Sequence, residues 1–333
     1  MDKKLFGSVD GREVYLYSFK SDTAELKISS FGATIVSFKP FGVDIIGGYD
    51  TLDDYLADDS NQGSTVGRVA NRIENAEFTM DGAIFMLPQN NNGHCLHGGE
   101  GFNRRVWKEE AFSDNSLTLS YYSEDGEEGF PSGLLTTVKF TLENSTLILE
   151  YEATPYGKTP IALTNHSYFN LDGFGGTILK HRAKFYASNY TAVNEWLIPT
   201  GVRPPVENSV FDFRDFHEIG ERVGEDFEGY DHNLVLSPTT YESFLGKRVG
   251  LGAVVENNEL RLEFFTDQPG VQFYIANFLG GKPDFAGGIQ RIKHGGFCLE
   301  AQTEPNCIKH GEAFYDAGEK YMQTTVYRIS RKI

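Results

Sequence analysis

Short runs of alternating apolar and polar residues recur along almost the whole chain, each stopped by Gly, Ser or Asp. Period two is strand periodicity, because successive side chains of an extended backbone point to opposite faces. Strands are expected at residues 14–19, 25–29, 33–39 and 43–46, and again at 183–187, 233–236, 259–266, 271–276, 297–302 and 324–329. Two hairpins stand out. In 77–87 the segments EFTM and AIFML flank Asp81-Gly82, a dipeptide that tolerates the positive φ angles of a tight turn. Residues 134–153 repeat the device around 143–145. Helix signals are few and short, at 52–57 after Asp50-Thr51 and at 216–223. No linker, charge block or repeat divides the chain, so one all-β domain over residues 1–333 is expected, with antiparallel sheets. Pattern alone leaves barrel and sandwich open.

The 26 Phe and 17 Tyr suit strands and a large core; aromatics also stack on sugar faces, a less common reason for them. A net charge of -17 argues against nucleic acid or an anionic membrane surface as partner, since both demand basic patches. A neutral or cationic small ligand fits better. No apolar run reaches the ~18 residues of a membrane span. Cys95, Cys298 and Cys307 are an odd number without CxxC spacing, which suggests neither a disulfide framework nor a zinc site. The first residues lack the apolar stretch and cleavage site of a signal peptide, so a cytoplasmic protein is expected.

The most informative stretch is TPIALTNHSYFNL, residues 159–171, which sets Asn165, His166, Ser167 and Tyr168 in a row inside a strand-like run. If 163–170 is extended, Thr164, His166, Tyr168 and Asn170 share one face, which places a ring that titrates near neutral pH beside a phenol. Residues 297–302 alternate Phe297, Leu299 and Ala301 with Cys298, Glu300 and Gln302, so Glu300 projects from a half-buried strand, where a carboxylate becomes a better base. In 271–278, Gln272 and Tyr274 oppose Val271, Phe273 and Ile275. Asp231 stands where a strand starts. Other polar clusters invite plainer readings. His94 and His97 have a spacing that suggests a metal, but no carboxylate ligand is near in sequence. The acids Glu124, Asp125, Glu127 and Glu128 around Gly126 and Gly129 read as a solvated turn, and Arg68 as a surface charge.

The 159–171 run closely resembles a signature segment of the aldose 1-epimerases, also called galactose mutarotases. Further matches follow in chain order: VGRVANRI (66–73), CLHGG (95–99), EDGEEGFPSGL (124–134), IPTG (198–201), YDHNLVL (230–236), QPGVQFYIANF (268–278) and GFCLEAQTEPN, ending at Asn306. The resemblance implies a large antiparallel β-sandwich, galactose mutarotase-like, with a sugar cleft on one concave sheet. It implies His166 and Glu300 as catalytic acid and base, and Asn71, Arg72, His97, Tyr168, Asp231 and Gln272 as substrate-binding residues. His94, Cys95, Thr303, Glu304 and Asn306 depart from the family pattern and receive no role. The expected activity is interconversion of the α and β anomers of free hexoses such as galactose and glucose. No cofactor and no metal are expected, and the protein is expected to work as a monomer or homodimer. Two competitors are a hexose-phosphate epimerase on the same fold, which would need an Arg and Lys cluster, and a non-catalytic sugar-binding protein.

Overall fold

Nearly every alternating run pairs with a neighbour in antiparallel register, and the pairings build three main sheets. The computed structural model describes residues 1–332; Ile333, the last residue of the expected domain, lies outside the described residues. A four-stranded meander opens the chain with Asp2–Val9, Arg12–Lys20, Ala24–Ser29 and Thr34–Pro40. A ten-stranded sheet follows, centred on Leu134–Glu143, Thr146–Pro155, Tyr321–Arg331, Leu260–Thr266 and Lys247–Glu256. The third sheet has four strands in the order Ala187–Tyr190, Asp231–Leu236, Gly270–Tyr274 and Cys298–Gln302.

The third sheet carries the site, and alternation explains how. Val271, Phe273, Leu299 and Ala301 enter the main apolar core, which they share with Leu147, Leu149, Leu262, Phe264 and Tyr327 of the ten-stranded sheet. The large sheet backs the small one directly: Tyr327 Oη donates to the Leu299 carbonyl at 3.2 Å, and Gln323 Nε2 to the Ala301 carbonyl at 3.1 Å. The opposite face of the small sheet therefore turns Gln272, Tyr274, Cys298 and Glu300 away from that core. This is the two-layer packing of an all-β sandwich.

Both expected hairpins form, the first as Glu77–Met80 with Ala83–Met86, and Asp81 and Gly82 at φ 51° and 82° take the left-handed conformations that the dipeptide favours. The expected helix is found at Leu52–Ala57, where the Thr51 hydroxyl accepts the Asp54 N–H. Three segments differ from expectation. Residues 43–46 contribute only an isolated bridge from Ile46 to Phe169, because the Asp44 carboxylate is drawn back to the Ser37 hydroxyl and the Ile46 N–H. Residues 216–223 form a short strand, His217–Glu218, and a 3-10 turn, Ile219–Arg222, too brief for an α-helix. In 163–170 regular pairing is limited to Thr164–Asn165 with Thr65–Val66, because the Ser167 N–H and hydroxyl both donate to Asn165 Oδ1 and pull the backbone off the ladder. Among the described residues no helix is long and apolar enough to cross a membrane.

Candidate active site

A cavity of about 440 Å3 opens over the outer face of the third sheet. His166, Tyr168, Tyr274, Asp231 and Glu300 line its floor, and Asn71, Arg72 and His97 one wall. His166 reaches it because its backbone is clamped on both sides: its N–H donates to the Ser64 carbonyl and its carbonyl accepts from Gly63, both at 2.9 Å. Asn71 and His97 reach it through left-handed backbone, at φ 60° and 57°, with the His97 N–H on the Asn71 carbonyl at 3.0 Å. His166 and Tyr168 face the cavity together, as alternation predicts, but Asn170 does not: its amide ties down the carbonyls of Gly176 and Gly295.

His166 Nε2 lies 3.8 Å from Glu300 Oε1, and both residues are buried. Glu300 Oε2 is buried and has no hydrogen-bond partner among the described residues. Burial, and then repulsion from Asp231, pushes the Glu300 carboxyl well above its ordinary value, with Arg72 opposing. Burial pushes the His166 imidazole below its own. The carboxyl is therefore a strong base when ionised, and the imidazolium a strong acid.

Asp231 is held from two sides, by Gln272 Nε2 at 2.7 Å on Oδ1 and by Arg72 Nη2 at 3.8 Å from Oδ2. Arg72 Nε also donates to Asn91 Oδ1 at 3.2 Å. Gln272, expected as a sugar ligand, stands behind Asp231 rather than on the cavity wall, and its carbonyl oxygen accepts from Gln302 at 3.3 Å. The Tyr168 hydroxyl donates to the Ser60 carbonyl at 3.3 Å, and the Tyr274 hydroxyl accepts the Phe278 N–H at 3.2 Å.

The structure brings together a group that spacing in the sequence did not reveal: His97, His166 and Glu300 offer ligand atoms within 4.8 Å of one another. Two imidazoles and a carboxylate can hold zinc. Here the donor chemistry is wrong for it. His97 Nδ1 accepts the Asn71 N–H at 3.2 Å, so its proton sits on Nε2, which donates and has no lone pair for a metal. Burial, followed by the charges of His166 and Arg72, holds this ring well below its ordinary pKa, which keeps that neutral tautomer.

The remaining sequence candidates have structural duties. Glu127 accepts from Tyr121 at 2.6 Å, from Arg105 at 2.7 Å and from Ser123, so the acidic turn is an anchor. Arg68 is not a surface charge: it is buried and donates to Ser123, Thr159 and the carbonyls of Pro131 and Glu124. His94 Nδ1 accepts the Asn75 N–H, and Asn306, at φ 63°, takes a backbone conformation that asparagine tolerates. Glu304 accepts from Thr191 at 2.6 Å and from Arg203, pinning the segment that carries Trp196 to the mouth of the cavity. Sequence reasoning missed the mouth itself, Asn91, Asn92, Trp196, Phe278 and Arg291. Two signals were there: a run of three asparagines at 90–92, and a Trp beside the IPTG motif.

The model of the aldose 1-epimerase family matches residues 15–328. The chain belongs to that family. It is 37% identical to the galactose mutarotase of Rattus norvegicus over 98% of both chains, and 30% identical to the aldose 1-epimerase of Haemophilus influenzae over 99% of both. An aldose epimerase homologue from C. elegans has the same fold at a TM-score of 0.87, with 27% identity over 96% of this chain and 99% of that one. A galactose 1-epimerase from Lactobacillus acidophilus superposes at 0.89 over 100% and 99% with 23% identity, which speaks for the fold alone. The family's β-sandwich is thus the architecture of this chain.

Proposed function

We propose that Glu300 and His166 are the base and the acid of a hexose mutarotase, acting on free sugars such as galactose and glucose without cofactor or metal. By family the chain is an aldose 1-epimerase, an isomerase that acts on carbohydrate. Glu300 takes the proton of the C1 hydroxyl, the bond from C1 to the ring oxygen breaks, and that oxygen takes the Nε2 proton of His166. Rotation about C1–C2 presents the other face of the aldehyde. The same two groups then run in reverse, and the opposite anomer closes. Asn71, Arg72, His97 and Asp231 hold the hydroxyls, and Gln272 serves by holding Asp231.

The observation that carries this reading is the buried, unpartnered Glu300 carboxyl oxygen beside an imidazole, in a cavity whose lining also includes the polar groups of Asn71, Arg72, His97 and Asp231. A buried acceptor without a partner costs stability, which a donor from the ligand removes. A sugar phosphate fits less well. The cavity's two guanidinium groups are both engaged, Arg72 by Asp231 and Asn91, Arg291 by Asp58 and Asp59, and four carboxylates, Asp59, Glu195, Asp231 and Glu300, face the same space. Loss of catalysis is disfavoured by the presence of both Glu300 and His166 in one cavity.

Residues 1–333 act in this reading as one domain, in keeping with an apolar core that runs from Tyr17 to Ile329. Every group named comes from one chain, so a monomer or a homodimer serves alike. Three buried free thiols suit a reducing, cytoplasmic setting. The test couples a dehydrogenase specific for the β anomer to fresh α-galactose and α-glucose, with hexose 6-phosphates in parallel. Acceleration on the free sugars is expected; none on either would defeat the reading, and acceleration on the phosphates alone would replace it with the phosphate epimerase.

A further inference from the structure

Behind the His166 ring lies a thiol. Cys298 Sγ is 3.7 Å from His166 Nδ1, and both residues are buried. Cys298 precedes Glu300 by two positions on the strand Cys298–Gln302, so one strand face offers sulfur to one ring nitrogen and a carboxyl, at 3.8 Å, to the other. Among the described residues no other side chain is within hydrogen-bonding distance of Nδ1. We propose that Cys298 is a positioning residue of the mutarotase reaction, its sulfur holding Nδ1 so that Nε2 is the nitrogen that meets the sugar's ring oxygen.

Which imidazole nitrogen exchanges a proton is decided by what the other one is bonded to. The usual partner behind a functional histidine is a carboxylate or a backbone carbonyl, each an acceptor only. A thiol works in both directions. In the proposed reaction sulfur acts as the acceptor, because Nδ1–H donates to it both in the imidazolium and in the neutral ring left when Nε2 has given its proton. Burial, and then the charges of Glu300 and Asp231, hold Cys298 as the neutral thiol, so no negative charge is placed behind the ring. A carboxylate in that place would favour the imidazolium and make His166 a weaker acid. The other groups that face the ring are the His97 imidazole, the phenols of Tyr168 and Tyr274, the carboxyl of Glu300, the residue's own carbonyl and, farther out, Asp231 and Asp58. None of them is altered in the variants below.

The proposal rests on His166 as the acid, and its test separates the two. His166 is titrated by NMR in the intact protein, its ring signal assigned by loss in His166→Asn, and compared in wild type, Cys298→Ser and Cys298→Val. A hydroxyl accepts from the cationic ring better than a thiol does, and a valine not at all. The titration midpoint is therefore expected to rise in the serine variant and fall in the valine variant. In the mutarotation assay, Cys298→Val is expected to lower kcat by ~10-fold or more with KM little changed, part of the ~10²–10⁴-fold that a well-placed general acid contributes. Serine should restore most of the rate. If valine does not fold, Cys298→Ala takes its place. Coincident midpoints in all variants, or a wild-type kcat for valine, would show that Cys298 only fills space. A wild type without activity would sink the mutarotase reading, while the titration series would still decide whether sulfur holds the ring.

Discussion

His166 Nε2 and Glu300 Oε1 face each other at 3.8 Å, a distance at which opposite charges attract strongly, yet burial drives both groups toward their neutral forms. Taking two ions out of water costs more than their mutual attraction returns unless further hydrogen bonds complete them. Glu300 Oε2 has none. Burial thus favours the neutral pair, and in the proposed reaction the sugar's C1 hydroxyl supplies the missing donor that favours the carboxylate.

Glu300→Gln and His166→Asn should each lower kcat by roughly 10²–10⁴-fold, the ordinary worth of a general acid or base, while sugar binding survives. Both changes keep size and polarity and remove proton transfer. Rates from the coupled assay beside equilibrium binding of galactose would check this, and near-normal turnover in either variant would remove that residue from its role.

The direction in which Glu300 projects was legible because strand alternation is simple: a polar position between Leu299 and Ala301 has to leave the core on the side opposite to them, whereas the roles proposed for Glu300 and His166 came from the resemblance. Asn71 and His97 were nameable only by resemblance. Their placement depends on left-handed backbone and on a hydrogen bond between loops 26 positions apart, which no local period encodes. Gln272 shows the limit of alternation, since it lies on the correct face yet spends its amide on Asp231. The buried duty of Arg68 was hidden for the same reason, because its partners Ser123 and Thr159 lie 55 and 91 positions away.

Glu300 should also cost the fold stability in a pH-dependent way. Its folded pKa is raised, so between the unfolded value of ~4.3 and the folded one the native state holds a proton that the unfolded state has lost, and stability falls by about 1.4 kcal/mol per pH unit. This contribution is fully present below ~4.3 and is lost as pH rises through the folded pKa. Denaturant unfolding of Glu300→Gln and wild type across pH should therefore give a difference that grows in the variant's favour above ~4.3. A constant difference would show that the carboxyl titrates normally in the folded protein.

Asp231→Asn should raise KM, because Arg72 and Gln272 lose the carboxylate that orders them. It should also lower the Glu300 pKa, since Asp231 is one of the causes that raise it. The alkaline limb of kcat/KM should move to lower pH. An unmoved limb with a raised KM would restrict Asp231 to holding the sugar.

Exhaustive dialysis against a chelator should leave activity unchanged. His97, the third member of the His97, His166 and Glu300 group, keeps a proton on Nε2 because Asn71 N–H occupies Nδ1. Loss of activity restored by one added divalent ion would overturn this.

The pH profile tests the pair as a whole. Ring opening needs Glu300 ionised and His166 protonated, and it ends with the proton exchanged, so the working pair holds one proton throughout. Two protons leave no base and none leaves no acid, which gives a bell in kcat/KM whose limbs report the free enzyme. Mutual attraction alone would assign the acid limb to Glu300 and the alkaline limb to His166. Burial pushes the other way, and the outcome expected is that it reverses the assignment. Starting from the neutral pair, the first added proton goes to His166, whose pKa burial lowers, and the first one removed leaves Glu300, whose pKa burial and Asp231 raise. Both shifts widen the plateau: the acid limb should fall below the ~6.5 of free histidine and the alkaline limb well above the ~4.3 of free glutamate. The productive form, with the proton on His166, is then a constant fraction of the one-proton pair across the plateau. His166→Asn should leave a residual activity that rises with pH as Glu300 ionises, with its midpoint at the wild type's alkaline limb, and Glu300→Gln one that falls with pH as His166 loses its proton, with its midpoint at the wild type's acid limb. The measurement is the initial rate of α-galactose mutarotation across pH, corrected for the uncatalysed and buffer-catalysed rates. If the rise in His166→Asn instead lies at the wild type's acid limb, attraction rather than burial rules the pair.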